Sequence, residues 1–232
     1  MVWLPRWGCD GMITSAQKLL MARAGVPVAA GGGGDITFVN GTGRGIISGS
    51  ATLTLPSGLQ PNDLVIVATM GDSDVPLVPT GYTTGQVGLT QSTGYMWSYK
   101  VMGDPVDTQA TGLYQASSMT HMAIAFRSDS GSAPLVATPP AINALANGMP
   151  DGPSVSASVD NMVVTLGYLD DSVVQSFVNA PTGYTFAAAS SGSDSSVMSA
   201  YLKITSDGSY DPSPFTNHTT TEPSIGVTFV IY

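Results

Sequence analysis

The chain has 232 residues, a formal charge of −9, 43% hydrophobic residues and only 10% charged ones. That apolar fraction is enough for a packed core and excludes wholesale disorder. No run of about 18 apolar residues is present to cross a membrane as a helix, and the negative balance argues against nucleic-acid binding through phosphates. Its 27 Gly and 16 Pro, with Glu222 as the one glutamate, exclude a helical bundle and point to an all-β chain.

Residues 1–34 read as an N-terminal anchor and tether. Arg6, Lys18 and Arg23 are opposed there only by Asp10, whereas the remainder has Arg44, Lys100, Arg127 and Lys203 against fifteen acids. Cys9 is the only cysteine, so neither an intrachain disulfide nor a cysteine-based zinc site can form. Lys18 and Arg23 interrupt the apolar stretch that a signal peptide requires. The pattern predicts a short helix instead. Thr14 or Ser15 caps it, Ala16 to Ala24 are mostly good helix formers, Gly25 sits at its C-terminal end and Pro27 stops it. Ile13, Ala16, Leu19, Leu20 and Arg23 are the candidate anchoring residues. Gly31 to Gly34 make a flexible leash. A frayed tail is the competing reading, and Met12 is a second candidate start.

Residues 35–232 read as a duplicated β-sandwich. Pro79-Thr80-Gly81-Tyr82-Thr83 recurs as Pro181-Thr182-Gly183-Tyr184-Thr185. The neighbours repeat in the same order. Asn62 to Val67 matches Asp160 to Thr165, and Met96 to Lys100 matches Met198 to Leu202. Apolar strands at His121–Phe126 and Ile225–Ile231 close the copies. Copy one spans about 50–127 and copy two about 153–232, joined by a Ser/Gly/Pro-rich bridge. About ten short strands between turn signals predict a jelly-roll-like sandwich of two Greek-key halves. Leu64–Ala68 and Val227–Ile231 are apolar on nearly every residue, the signature of strands buried on both faces. Their outer faces need a cover: a second subunit, the N-terminal segment or a loop.

Chemistry is sparse. Asp72 and Asp74 recur in place as Asp170 and Asp171, and Asp104 and Asp107 pair loosely with Asp207 and Asp211. Such loop carboxylates can bind Ca²⁺, but no full calcium loop is present and loop Asp more often caps turns. Asp72, Asp74, Asp170 and Asp171 are therefore weak metal candidates. His121 in an apolar strand and His218 in a polar loop lack a second His at ligand spacing and read as structural. No paired catalytic carboxylates, nucleophile elbow, P-loop or dinucleotide fingerprint appears, so no catalytic residue and no cofactor is expected. Tyr82 and Tyr184 in the repeated turns, with Trp97 and Tyr99 on one strand face, are the candidate glycan contacts. Core packing beside a turn is the favoured reading, because a Tyr repeated in a duplicated fold usually repeats for structural reasons.

Gly58-Leu-Gln-Pro-Asn-Asp-Leu-Val-Ile-Val67, the Pro79–Thr83 turn, the Tyr-bearing strand 95–101 and Met122-Ala-Ile-Ala-Phe-Arg127 together resemble minor virion proteins of tailed bacteriophages. The opening from Met12 to Gly25 also resembles the anchoring N-terminus of such proteins. The resemblance covers most of residues 12–127. It implies a non-enzymatic structural component of the virion, assembled in the bacterial host cytoplasm. The implied form is a fibre or spike attached by its N-terminus to portal, tail or capsid proteins, homo-oligomeric, with host-surface glycan as a ligand. It implies neither nucleic-acid nor membrane binding. Copy two departs from the pattern by ending Phe229-Val-Ile-Tyr232, without the Arg. A capsid decoration protein and a secreted carbohydrate-binding module or hydrolase are the alternatives.

Overall fold

A computed structural model describes residues 34–46, 51–90, 93–113, 119–137, 140–171, 178–218 and 220–232, all within one compact unit, Gly32–Tyr232. The predicted anchor helix and its residues Ile13, Ala16, Leu19, Leu20 and Arg23 lie outside the described residues. The described chain is all-β, with fourteen strands. Copy one holds β1 (Ile36–Ile46), β2 (Ala51–Thr54), β3 (Leu64–Asp72), β4 (Thr83–Thr90), β5 (Thr93–Val101), β6 (Gln109–Leu113) and β7 (Met119–Ser128). Copy two holds β8 (Ala141–Leu145), β9 (Val155–Ala157), β10 (Met162–Leu169), β11 (Thr185–Ser191), β12 (Ser196–Lys203), β13 (Gly208–Tyr210) and β14 (Ser224–Ile231).

The strand orders make the duplication explicit. One antiparallel sheet runs β1-β7-β3-β5-β4 and the other β8-β14-β10-β12-β11, while β2-β6 and β9-β13 form two-stranded flaps. The repeat therefore begins earlier than the motifs indicate, at β1 and β8; β8 falls within the stretch expected to be only a bridge. The registers agree as well. Leu64 faces Val101 and Phe126, and Met162 faces Lys203 and Ile231. Both β4 and β11 carry a bulge, at Thr84/Gln86 and Phe186/Ala188. Each copy supplies one whole sheet. The expectation of two Greek-key halves leaves open how the strands of a copy divide between sheets; here all strands of a sheet belong to one copy.

The inner faces meet in one core. Leu64, Ile66, Met70, Trp97, Ile124 and Phe126 of the first sheet pack against Val164, Leu166, Tyr168, Val227, Phe229 and Ile231 of the second. The outer faces have their own cores. Leu53, Leu55, Met102, Ala110 and Leu113 lie over Val65, Val67, Ala123 and Ala125. Phe215 and Val178 cover Leu169, Met198 and Ala200, and Ala157 and Ile204 cover Val163 and Val230. The continuously apolar strands are thus sandwiched by the chain's own flaps and loops, so their pattern no longer calls for a second subunit.

The two seams of the sandwich differ. At one, Gly41, Gly43 and Gly45 of β1 lie against β11; a Cβ on Gly41 would stand 2.7 Å from the Ala188 Cβ, and one on Gly43 2.6 Å from the Ser190 Cβ. At the other, register places Ile142 and Ala144 of β8 where Gly43 and Gly45 stand in β1. Toward that seam Trp97 stacks on Phe229 at 4.4 Å and 2°, whereas the residue matching Trp97 in copy two is Ser199; toward the β1–β11 seam Phe38 of β1 stacks on Tyr201 of β12 at 5.0 Å. β1 closes on β11 through glycines, and aromatic rings pack toward both seams.

Candidate functional site

The two ends of the resemblance motif meet in space. Asn62 holds φ +72° at the turn before β3, and its N–H donates to the Met102 carbonyl. This turns the Asp63 carboxylate inward, where the residue is fully buried. Arg127, at the end of β7, donates from Nε to Oδ1 and from one terminal nitrogen to Oδ2, both at 2.7 Å. The Gln60 N–H adds a third bond at 2.7 Å, and Arg127 also donates to the Gly58 carbonyl. A bidentate, charge-assisted pair of this kind is strong and sets geometry. The hydrogen bonds that it donates to Asp63 hold the guanidinium in its charged form and push its pKa up. Beside it, Gln60, Pro61, Asn62, Arg127, Asp129 and Gly131 line a shallow polar depression of about 250 Å³.

The second motif element is a backbone device. The Tyr82 N–H donates to the Pro79 carbonyl and the Tyr184 N–H to the Pro181 carbonyl, closing matching turns. Gly81 and Gly183 sit at φ +80° and +84° at the second central position, the left-handed conformation that a type II turn demands there.

The candidate glycan contacts do not form a surface platform. Trp97 is fully buried between the sheets, so its ring has no free face for a sugar. Tyr99 packs against the same core. Tyr82 packs into the outer core of copy one and Tyr184 into that of copy two, each with its hydroxyl buried. Burial, with Asp107 nearby, raises the Tyr82 pKa; burial, then Asp211 and Tyr210, pushes Tyr184 up to about 12. The apolar neighbourhood that makes a β-face look like a stacking surface is here the core itself.

Asp171 accepts from, or pairs with, His218 Nε2 at 3.1 Å, and the Asp170 N–H donates to the Pro223 carbonyl. Among the described residues no group of three or more His, Cys, Asp or Glu could hold a metal ion. Nothing is described of the Asp72 side chain. His121 is fully buried, 2.9 Å from the Thr69 hydroxyl through Nδ1; burial first, and Arg44 second, lower its pKa to about 4. Neither the Asp63–Arg127 clamp nor the His218–Asp171 pair was singled out from sequence. The first left a signal, an Asp and an Arg in the first and last pieces of the resemblance; the second, 47 residues apart, left none.

Comparison with known proteins adds no relative: no family model, no curated protein and no solved structure matches the chain.

Proposed function

We propose that the protein is a non-enzymatic structural component of a tailed-bacteriophage virion, attached to portal, tail or capsid proteins through residues 1–34. The observation that carries this reading is the Asp63–Arg127 clamp. The turn-Asp-Leu strand and the Phe-Arg strand, two separate pieces of the resemblance, are one physical unit that ties the first turn of β3 to the end of β7. A bidentate clamp is a reason for these residues to occur together, which a chance match of short motifs would lack. Double-sided burial of the central strands also supports a load-bearing scaffold rather than a mobile catalytic one.

Between the roles the resemblance implies, bracing of neighbouring virion proteins, as in a decoration protein, is favoured over glycan capture. Trp97 and the buried Tyr82 and Tyr184 hydroxyls would serve the fold in a brace and are poorly placed for sugar. Mass spectrometry of purified phage particles tests the placement. The full chain is expected in mature particles, and a variant lacking residues 1–34, still folded by its melting profile, is expected to be absent from them. Particles that incorporate the truncated chain normally overturn the anchoring role. Binding of the isolated protein to a glycan array would restore the adhesin reading.

A further inference from the structure

Each large sheet has two edge strands, and edges with free backbone N–H and C=O groups invite pairing with another chain unless blunted. Three of the four edges here are managed. β1 and β11 lie against each other through Gly41, Gly43 and Ala188. β8 has five residues and follows Pro139-Pro140. β4 differs. It runs eight residues, Thr-Thr-Gly-Gln-Val-Gly-Leu-Thr, without Pro or charge, and among the described residues it pairs only with β5. Its bulge at Gly85 is the one blunting device it has among the described residues.

The surface beside this edge is apolar. Val87 and Leu89 face Met96 and Gly94 across the ladder, hence the outer side of the sheet. The Asp74 carbonyl lies over Gly94 and brings the 75–77 segment there. Val75, Leu77, Val87 and Leu89 are exposed at 45%, 52%, 41% and 52%. Copy two has Ala189 and Ser191 at the places of Val87 and Leu89, so the patch belongs to copy one alone.

Charge selects the occupant. From residue 34 on, the chain has four basic residues and fifteen acids, a balance of −11, yet residues 75–99, β4 among them, contain no charge, with Asp74 at one border of the patch and Lys100 following the stretch. A cationic partner would be drawn to the acidic turns. A second copy carries the same −11 and can approach closely only where neither molecule presents charge. An antiparallel strand can also pair with itself about a twofold, which places like residues on one side.

We propose that β4 pairs with β4 of a second copy, joining two five-stranded sheets into one and bringing the two Val87/Leu89 patches side by side. This pairing is independent of the virion reading, and its test uses the isolated full chain. Sedimentation velocity should show a concentration-dependent monomer–dimer equilibrium. Val87→Lys, Val87→Glu and Leu89→Lys, all at exposed positions, should each weaken it by at least about tenfold, with unchanged melting profiles. An equimolar mixture of Val87→Lys and Val87→Glu should dimerise again, a rescue that no folding defect produces. Peptides covering residues 83–90 should exchange amide hydrogen more slowly as concentration rises. A wild-type chain that stays monomeric up to about 100 μM overturns the proposal and leaves the edge to a strand of another protein. A dimer indifferent to all three variants also overturns it, since it must use another surface.

Discussion

At the start of β3, copy one buries a carboxylate; at the start of β10, copy two buries an amide. Asn62-Asp63 and Asp160-Asn161 hold the same turn, with φ +72° at Asn62 and +68° at Asp160 and matching bonds to Met102 and Ile204. The inward residue is charged only where Arg127 stands to meet it. By register, the residue matching Arg127 is Tyr232. The two copies have therefore changed both members of the pair together, and neither buries a lone charge. A repeated backbone tolerates either chemistry, provided that each buried charge keeps its partner.

The largest expected effect comes from breaking that rule in one copy. Arg127→Met leaves the fully buried Asp63 carboxylate without its cation and should cost about 3 kcal/mol or more. Adding Asp63→Asn, which imitates copy two, should recover most of the loss. Asn161→Asp in copy two, where no arginine waits, should destabilise on the same scale. Chemical denaturation of the three proteins measures this. If Asp63→Asn fails to rescue Arg127→Met, the clamp stabilises through packing rather than charge.

His121 sharpens the comparison next. It lies on the outer face opposite Thr69, whereas register puts Gly226 opposite Gly167 in copy two, with the Pro150–Gly152 segment lying across them. Above pH 6.5 His121 is neutral whether the protein is folded or unfolded. Below that, the unfolded chain takes up a proton which the folded chain, with its value near 4, does not. Stability should then fall from pH 6.5 to about 4, by about 3 kcal/mol in total. His121→Gln should remove that part of the pH dependence, read as a smaller difference between denaturation curves at pH 7 and pH 4.5.

What was legible in the sequence follows from which signals are local. Strand positions, the repeated turn and its glycines could be read because alternation, Pro and Gly act within a few residues. That Gly81 and Gly183 hold positive φ is the plainest case. The assignment of one sheet to each copy was not legible, since it depends on pairings such as β1 with β7 across some eighty residues of chain. Whether Trp97 faces the core or a ligand stays open in the sequence for a related reason. An aromatic beside polar and small residues looks exposed in one dimension, but Phe229, more than a hundred residues later, supplies its stacking partner. The covered strands were legible in part: their apolar runs signalled double burial, but not which of the possible covers applies, and it is the chain's own Leu53, Leu113 and Phe215.

The repeated turns offer a comparison expected to show no difference. A Cβ on Gly183 meets nothing within 4 Å, and one on Gly81 meets only the Lys100 ammonium at 3.6 Å. The cost of Gly81→Val or Gly183→Val is then conformational alone, about 1–3 kcal/mol each. Two equal losses that add in the double variant fit equivalent sites in separate sheets. Thermal melts in which one substitution is silent would break the equivalence of the copies at their most similar motif.

The smallest effect is expected where the copies differ most visibly at the surface. Lys100 pairs with Asp107 and stands 5.9 Å above the Tyr82 ring, while the matching residue in copy two is Leu202, packed against the outer core beside Tyr184. The two solutions cover the same tyrosine position, one with an aliphatic stem ending in a charge and the other with a branched apolar chain. Both members of the Lys100–Asp107 pair are partly exposed, so water screens them and the pair contributes little net stability. The stem of Lys100 already covers apolar surface, and leucine would keep that contact. Lys100→Leu should therefore shift stability by no more than about 0.5 kcal/mol in either direction. A loss several times larger in denaturant titration would mean that Asp107, left beside the buried Tyr82 hydroxyl, needs its cation as Asp63 needs Arg127, and copy one would then depend on two charge pairs at places where copy two has Leu202 and Tyr232.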